Sequence, residues 1–501
     1  MNGQVVADAA VLLQQARQIY DGDARALAVI DDLADRLDGP LRIAVAGMVK
    51  AGKSTLLNAV IGEEIAPTDA GECTRIVTWY RYGATPRVTL HPLAGEPRTL
   101  PVTREDGRLV FQLGDIQAED VDRLVVDWPA ASLRDLTLID TPGIASLSQD
   151  VSGRSTAFLL PENAPSSADA VIYLMRHLHA SDVRFLESFK DNAAGKSGTV
   201  NALAVLSRAD EIGAGRIDSL ISAAVIADRY SRDQNLKPLA LGVVPVAGLL
   251  AQSSRTMRQT DFEVMVALAG MDKAQRDKTL LSVDRFVRSP EPAGVEQGAK
   301  ASLVARFGLF GIRLGVALIN GGISDPTNLA HELARRSGLG QLLQTVAALF
   351  QTRAEALKAR AAVVGLEALL RTAGTAGAAA SGDAARLLTA MERLQAGAHE
   401  FRELKLLAKL RTEGAGLTPE LATEAERLVG GRGTLPAHRL GVAQDADDDA
   451  ISEAARASLN RWRLIAENPL TEPSALDACR VVIRSCEGML AAIPAAAPAR
   501  S

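Results

Sequence analysis

The sequence predicts an α/β domain, with a mostly parallel sheet and helices on both faces, joined to an all-α helical bundle. From residue 41 to about residue 322, strand-like runs alternate with helix-like runs, whereas helical periodicity dominates after residue 324. In addition, residues 47–54 form a Gly-rich segment between a strand-like and a helix-like run. This order of elements is typical of a phosphate-binding loop.

Length and composition restrict the class of protein. The chain has 501 residues, 47% of them hydrophobic and 23% charged, which suits two to four soluble globular domains. A net charge of -5 argues against a large nucleic-acid footprint. Three cysteines without framework spacing indicate a reducing compartment. No signal peptide is evident, and Arg306 and Arg313 interrupt the most apolar window, so we expect a cytoplasmic protein with at most peripheral membrane contact.

Periodicity and breakers divide the chain into N-terminal helices, the α/β domain, a helical bundle on which the N-terminal helices are expected to pack, and a disordered tail: residues 1–39, 40–323, 324–493 and 494–501. The α/β domain is expected to carry a polar, irregular insertion near residues 253–300, with short helical candidates at residues 262–270 and 273–288. In the bundle, residues 327–371 predict one long helix kinked at Gly338 and Gly340. The apolar spacing of residues 387–404 predicts a single returning helix.

Seven strands are predicted in the α/β domain, at residues 42–46, 87–91, 124–127, 136–139, 170–175, 202–206 and 242–246. In such sheets, ligands bind beyond the carboxyl ends of the strands. The candidate ligand-binding segments described next all follow such ends.

The first of these segments is G-M-V-K-A-G-K-S, a match to the phosphate-loop pattern. Its glycines allow successive N–H groups to point at phosphate oxygens near the positive end of the following helix. Lys53 would face the β- and γ-phosphates, and the Ser54 hydroxyl would ligate Mg²⁺. The alternative is an ordinary Gly-rich turn. The expected phosphate-binding residues are Gly47, Lys50, Ala51, Gly52, Lys53, Ser54 and Thr55.

Two further segments are expected to complete the phosphate and metal site. Asp140 and Gly143 form a D-x-x-G motif after a strand; the carboxylate would hold Mg²⁺ through a water, and the glycine N–H would sense the γ-phosphate. The alternative is a surface turn. Between these motifs, Thr74 is preferred over Thr68 as the threonine that completes the Mg²⁺ shell and orients the attacking water.

Base selection is expected at the next two strand ends. Ser207-Arg208-Ala209-Asp210 stands where most GTPases carry N/T-K-x-D. Asp210 offers two acceptors to the guanine N1 and N2 donors, which adenine cannot match. Arg208 would lie over the base as a lysine does. We expect the backbone N–H of Ala247, after the following strand, to meet guanine O6. Ser207 and Arg208 depart from the usual pattern and weaken the guanine assignment.

The combination G-M-V-K-A-G-K-S-T, P-T-x-x-x-E-C-T-R, D-T-P-G and R-A-D, flanked by helices on both sides, resembles the bacterial dynamin-like GTPases. Within them it is most similar to the mycobacterial isoniazid-inducible proteins. This resemblance extends over the entire chain. It implies that the α/β domain is a GTPase head and that the helices before and after it, residues 1–39 and 324–493, form a neck and trunk. It implies that GTP hydrolysis with Mg²⁺ is coupled to self-association and membrane remodelling or maintenance at the cytoplasmic face of the plasma membrane.

The resemblance also implies partners: GTP and GDP, a second copy pairing through the GTPase heads, a second dynamin-like protein, and peripheral contact with anionic lipid, but no nucleic acid. An alternative is a soluble regulatory switch whose helical arm binds a protein. A ribosome-assembly GTPase is disfavoured by the acidic balance and the lack of a recognisable RNA-binding appendage.

One departure from the eukaryotic dynamins concerns mechanism. They carry Gln-Ser in the middle of the phosphate loop, where the serine helps to hold a monovalent cation; here the matching residues are Val49 and Lys50. One hypothesis is that the Lys50 ammonium replaces that cation. The other is that Lys50 points to solvent. The candidate catalytic residues are therefore Lys50, Lys53, Thr74 and Gly143, and the candidate metal ligands are Ser54, Thr74 and Asp140.

Overall fold

A computed structural model describes residues 3–67, 76–105, 108–110, 113, 115–143, 166–189, 200–373 and 382–493. The strands, numbered β1 to β11 in chain order, are Leu41–Gly47, Val77–Tyr82, Arg87–Pro92, Arg98–Leu100, Thr103–Glu105, Arg108–Val110, Val121–Trp128, Leu136–Asp140, Ala170–Met175, Ala202–Ser207 and Val243–Val246. Each of the seven predicted strands is present, with ends shifted by at most three residues. Strand β2 was not among the seven, and neither were the short strands β4, β5 and β6, which carry no alternating apolar pattern.

The helices, numbered α1 to α19 in chain order, are Gly3–Ile19, Ala24–Asp38, Lys53–Ile61, Ala180–Ser188, Ser219–Ser231, Gly248–Arg255, Gln259–Ala269, Lys273–Thr279, Val283–Arg288, Gln297–Asn320, Pro326–Arg336, Leu339–Leu349, Ala354–Ala373, Gly382–Gly397, His399–Glu413, Pro419–Leu428, Pro436–Leu440, Asp448–Glu467 and Pro473–Ala492.

A nine-stranded mixed sheet forms the centre of the head, in the order β11-β10-β9-β1-β8-β2-β7-β3-β4. Most neighbouring strands are parallel, while β2 is antiparallel to β8, and β3 is antiparallel to both β7 and β4. Successive residues of β1 enter different apolar clusters: Ile43 and Val45 face α3, whereas Ala44 and Ala46 face α4. This arrangement confirms the predicted α/β class with helices on both faces.

Residues 253–300 are more regular than their polarity suggested. They contain the end of α6 and all of α7, α8 and α9, so helices stand at both candidate positions. Met265 of α7 and Phe286 of α9 are fully buried and share one apolar cluster with Leu280 and with α10. The polar residues cover the outer faces of these short helices. Leu329 and Leu333 of α11 belong to the same cluster, and the core of the head therefore extends past residue 323.

Of the described helices, α10 alone has the length and hydropathy that a membrane span requires. Its contacts are those of a core helix. Arg306 pairs with Asp261 at 3.1 Å, and Arg313 donates to the carbonyl oxygens of Gly215 and Leu280 at 2.7 Å. In addition, the backbone at Gly308 is non-helical, which kinks the helix.

The single helix predicted for residues 327–371 is wrong. The segment forms α11, α12 and α13, with breaks at Gly338 and at a 3-10 turn, Gln351–Arg353. Gly338 adopts a left-handed φ of 85°, and the buried Arg353 donates to the carbonyl of Val429 at 2.7 Å. Tertiary contacts at these two points therefore override the continuous apolar pattern. Similarly, residues 387–404 form two helices, because Ala398 has an extended backbone between α14 and α15.

The N-terminal residues form two helices, α1 and α2, which pack on α13 and α14. Leu12 and Ile30 lie in one apolar cluster with Val363 and Leu366. The Lys358 ammonium also donates to the carbonyl of Gly39 at 2.8 Å. The apolar stripe of the first 39 residues thus finds its partner more than 300 residues later in the chain.

The trunk reaches back to the head through Arg411 of α15. Its guanidinium donates to the carbonyls of Lys237, at 2.7 and 3.0 Å, and Ala240, at 2.5 Å, and it forms an ion pair with Glu426. Arg411 is 5% exposed as a side chain, and this burial lowers its pKa against the opposing effect of Glu426. The residues Lys237 and Ala240 lie between α5 and β11, so a trunk side chain caps a head loop.

We expect Arg411→Met to lower the free energy of unfolding by about 3–5 kcal/mol, because it leaves Glu426 buried without a partner. Lys405→Met, on the exposed face of the same helix, should change it by less than about 0.5 kcal/mol. The double variant Arg411→Met/Glu426→Leu should recover part of the loss. Chemical denaturation measures all three, and equal unfolding midpoints for the two single variants would contradict the role of Arg411.

Candidate functional site

The pairing of β1 with its neighbours brings the predicted motifs together. Strand β1 runs parallel to β8 on one side, with Val45 opposite Asp140, and parallel to β9 on the other, with Gly47 opposite Leu174. Strands β10 and β11 follow β9 in the same direction. The loops after β1, β8, β10 and β11 therefore meet at one edge of the sheet.

The loop after β1 has the backbone that its glycines were expected to allow. Gly47 has a φ of 150°, and a Cβ there would lie 2.4 Å from the Leu174 carbonyl oxygen. Gly52, with a φ of 95°, directly precedes α3. Lys50 is also left-handed, with a φ of 63°, which is unusual for a residue with a side chain. The first-turn N–H groups of α3 and the loop therefore form an anion-binding end.

The side chains of Lys53, Ser54 and Asp140 converge beside this loop. The Lys53 ammonium donates to the carbonyl of Gly47 at 3.2 Å, and burial lowers its pKa while Asp140 opposes that shift. The Ser54 hydroxyl donates to Oδ2 of Asp140 at 3.2 Å. Burial raises the pKa of Asp140 to about 6, against the opposing effects of Lys53 and Ser54. Lys53 therefore lies within the electrostatic reach of Asp140.

The second carboxylate oxygen of Asp140, Oδ1, is buried and has no hydrogen-bond partner among the described residues. A buried acceptor without a partner is costly, and a hydrated cation would satisfy it. Within those residues, no group of three or more His, Cys, Asp or Glu side chains could hold a metal ion. A serine hydroxyl beside a single carboxylate suits Mg²⁺, which keeps several waters and takes further oxygens from phosphate.

Gly143 lies against the phosphate loop. A Cβ at this position would be 2.7 Å from Cγ2 and 3.1 Å from Cα of Val49. Upstream, the Thr141 hydroxyl donates to the carbonyl of Val45 at 3.0 Å, which holds the turn after β8 against β1. The D-x-x-G glycine thus lies close enough to the phosphate loop for its backbone to respond to a ligand bound there.

A pocket continues from the phosphate loop to the end of β10, with about 590 Å³ of empty space that includes open solvent. Burial raises the pKa of Asp210, a shift that Glu211 increases and Arg208 opposes. The Arg208 guanidinium donates to the carbonyl of Lys50 at 3.1 Å and pairs with Glu211 at 2.7 Å. Arg208 is therefore held against the phosphate loop. The residues lining the pocket are Ala51, Gly52, Thr55, Leu56, Leu174, Val205, Ser207, Arg208, Asp210, Glu211, Val246, Gly248 and Leu249.

The structure corrects the expectation for Ala247. Its N–H donates to the carbonyl of Ser337 at 2.8 Å, so that group is already used and does not face the pocket. Gly248 and Leu249, which begin α6, line the pocket instead. The N–H groups of a first helical turn have no partner within the helix and are the available donors. The motif position was therefore displaced by one or two residues.

The remaining predicted residues divide into two cases. Thr74 and the alternative Thr68 lie outside the described residues. The Lys50 side chain is exposed and has no hydrogen-bond or ion-pair partner in the part of the chain that the structure describes. Glu211, which orients Arg208, was missed by sequence reasoning, and its position directly after Asp210 was the available signal.

Comparison with known proteins decides the family. A family model for the dynamin family matches residues 43–202. The isoniazid-induced protein IniC of Mycobacterium tuberculosis is 42% identical over 462 residues, which are 92% of this chain and 92% of that protein. This chain belongs to the dynamin family. The resemblance deduced from the motifs is thereby confirmed, and the chain is a dynamin-like GTPase.

Other relatives of this dynamin-like GTPase match over shorter stretches. The bacterial dynamin-like protein of Nostoc punctiforme is 30% identical over 167 residues, which are 30% of this chain and 23% of that protein. IniA of M. tuberculosis is 35% identical over 143 residues, 27% of this chain and 21% of that protein. A solved chain from an oligomerised bacterial dynamin pair aligns with 97% of this chain and 72% of its own, at 14% identity and a TM-score of 0.31.

Proposed function

We propose that this dynamin-like GTPase binds and hydrolyses GTP with Mg²⁺ and couples its nucleotide state to self-association and to remodelling or maintenance of a membrane at the cytoplasmic face. The observation that carries the nucleotide part is the convergence of Ser54 and the unpartnered Oδ1 of Asp140 beside Lys53 at the phosphate loop. The same loop contributes Ala51 and Gly52 to the lining of a pocket that also contains Asp210. The self-association and membrane parts are supported by the family alone.

Each residue then has a task in hydrolysis. Lys53 neutralises charge on the β- and γ-phosphates, and the N–H groups of the loop donate hydrogen bonds to the anionic phosphate oxygens. Ser54 and Asp140 would hold Mg²⁺, which neutralises the charge that develops between the same phosphates. Asp210 would take the guanine N1 and N2 donors, and Gly248 or Leu249 would meet O6. From the sequence, we retain Thr74 as the ligand that completes the metal shell and orients the attacking water.

Binding of labelled GTP and GDP to the purified protein, with and without Mg²⁺, tests the proposal. We expect Lys53→Ala to weaken GTP binding by about 10- to 150-fold, because it removes hydrogen bonds to a charged group worth about 1.5–3 kcal/mol. Lys405→Ala, on the exposed face of α15, is the matched control and should bind as the native protein does. Native protein without measurable affinity for either nucleotide in the presence of Mg²⁺ would exclude the proposed function.

The raised pKa of Asp140, about 6, predicts a pH dependence for Mg²⁺. The metal needs the carboxylate, so a proton competes with it, and the apparent Mg²⁺ affinity should fall as the pH decreases through 6. At pH 5 the affinity should be about tenfold lower than its limit at high pH. In Asp140→Asn this step should be absent, whereas the titration of the nucleotide phosphates remains in both proteins. Identical pH profiles for the two would count against Asp140 as a metal ligand.

The Lys50 hypothesis predicts a dependence on monovalent cations. If the ammonium takes the place of such an ion, native turnover should be the same in potassium and in sodium salts. Lys50→Ala should lose turnover, while Lys50→Arg, which keeps the charge, should retain a part of it. Equal GTP turnover for the native protein and Lys50→Ala would refute the hypothesis and support a lysine that remains in solvent.

Co-sedimentation with anionic liposomes separates the proposed function from the alternative. A membrane-remodelling protein should pellet with liposomes more strongly in the presence of a non-hydrolysable GTP analogue than with GDP. A soluble switch whose helical arm binds a protein should stay in the supernatant with both nucleotides while still hydrolysing GTP.

A further inference from the structure

The turn between α11 and α12 makes direct backbone contact with Ala247. This residue directly precedes Gly248 and Leu249, which line the end of the pocket that is proposed to hold the base. The carbonyl of Ser337 accepts the Ala247 N–H at 2.8 Å. Both residues are buried, with 1% and 0% of their surface exposed. The turn joins α11, whose Leu333 lies in the core of the head, to α12, the next helix of the helical part. It holds the segment from which Gly248 and Leu249 enter the pocket.

Gly338 makes this contact as close as a backbone allows. Its φ is 85°, and a Cβ there would lie 2.2 Å from the carbonyl oxygen of Pro245 and 3.4 Å from Cα of Val246. Neither atom belongs to a flexible side chain, so any residue larger than glycine must move the end of β11 or the turn itself. Gly340, two residues later, has no atom within 4 Å of a Cβ built on it.

The turn is rigid enough to position its neighbour. The Ser337 hydroxyl donates to the carbonyl of Ala334 at 2.6 Å and accepts the N–H of Leu339 at 3.2 Å. Leu333 and Leu339 on either side are buried in the apolar clusters. The hydrogen bonds and the flanking side chains therefore fix the turn independently of the loop that it contacts.

We propose that Ser337 and Gly338 are positioning residues for guanine recognition: the turn of the helical arm sets the first-turn N–H groups of Gly248 and Leu249 against guanine O6. This inference rests on the proposed GTP binding. The phosphate end is built on β1, α3 and β8, whereas the turn contacts the base end. Disturbing the turn should therefore lower discrimination at O6 more than it lowers binding of the phosphates.

The test compares GTP with 6-thio-GTP, which keeps both groups that face Asp210 but replaces O6 with a poorly accepting sulfur. The native protein should bind GTP more tightly than 6-thio-GTP by roughly two- to tenfold, the effect of one hydrogen bond. In Gly338→Ala this ratio should fall to about one. Gly340→Ala, the matched glycine control in the first turn of α12, should keep the native ratio.

The outcomes separate the inference from the function beneath it. Native protein that binds no GTP would reject the proposed function, whereas native protein that discriminates, together with Gly338→Ala that discriminates equally well, would overturn only the positioning role. An equal fall in the ratio for Gly340→Ala would also overturn that role. If circular dichroism shows that Gly338→Ala is unfolded, Ser337→Ala decides: it removes the two hydroxyl hydrogen bonds of the turn, and an unchanged ratio there would overturn the inference.

Discussion

The parallel pairing of β1 with both β8 and β9 is the constraint on which the rest of the site depends. It aligns Val45 with Asp140 and Gly47 with Leu174, so that a loop, a carboxylate and a neighbouring backbone carbonyl arrive at the same level of the sheet. A shift of one residue in either register would turn every side chain of the shifted strand to the opposite face of the sheet. Such a shift is opposed by the two apolar clusters, because the side chains of β1 enter them alternately.

That geometry places charge where burial is unfavourable. Asp140 and Lys53 are both buried. Burial raises the pKa of Asp140 and lowers the pKa of Lys53, which favours the neutral form of each, while the charge of each opposes the shift of the other. Such a site favours a ligand that brings both signs of charge, because phosphate oxygens satisfy the ammonium and a divalent cation satisfies the carboxylate. The cost of burying both charges would thus favour binding of a phosphate together with a divalent cation over binding of the phosphate or the cation alone.

Features set by neighbouring residues in the sequence could be predicted, whereas features set by contacts between distant parts of the chain could not. The phosphate loop, Asp140 and Asp210 were predictable because each motif is local and follows an apolar strand. A kink at Gly338 was predicted, but not that the helix ends there, nor the second break near Arg353. A carbonyl of β11 and the carbonyl of Val429 contact these two points from distant parts of the chain. Ala247 shows the same limit, since only its contact with Ser337 reveals that its N–H is already used.

Head and helical arm share one apolar cluster and are also linked by hydrogen bonds to backbone groups. These hydrogen bonds bear on how a nucleotide state could be transmitted. Arg411 holds the carbonyls of Lys237 and Ala240, which precede β11, while Ser337 holds the N–H of Ala247, which follows it. Arg411 and Ser337 thus fix the segments before and after β11, and the second of these segments leads to Gly248 and Leu249 in the pocket. Coupling between two sites is reciprocal. If the conformation of the arm changes the affinity of the loop after β11 for a base, then binding of a base changes the conformational equilibrium of the arm by the same free energy.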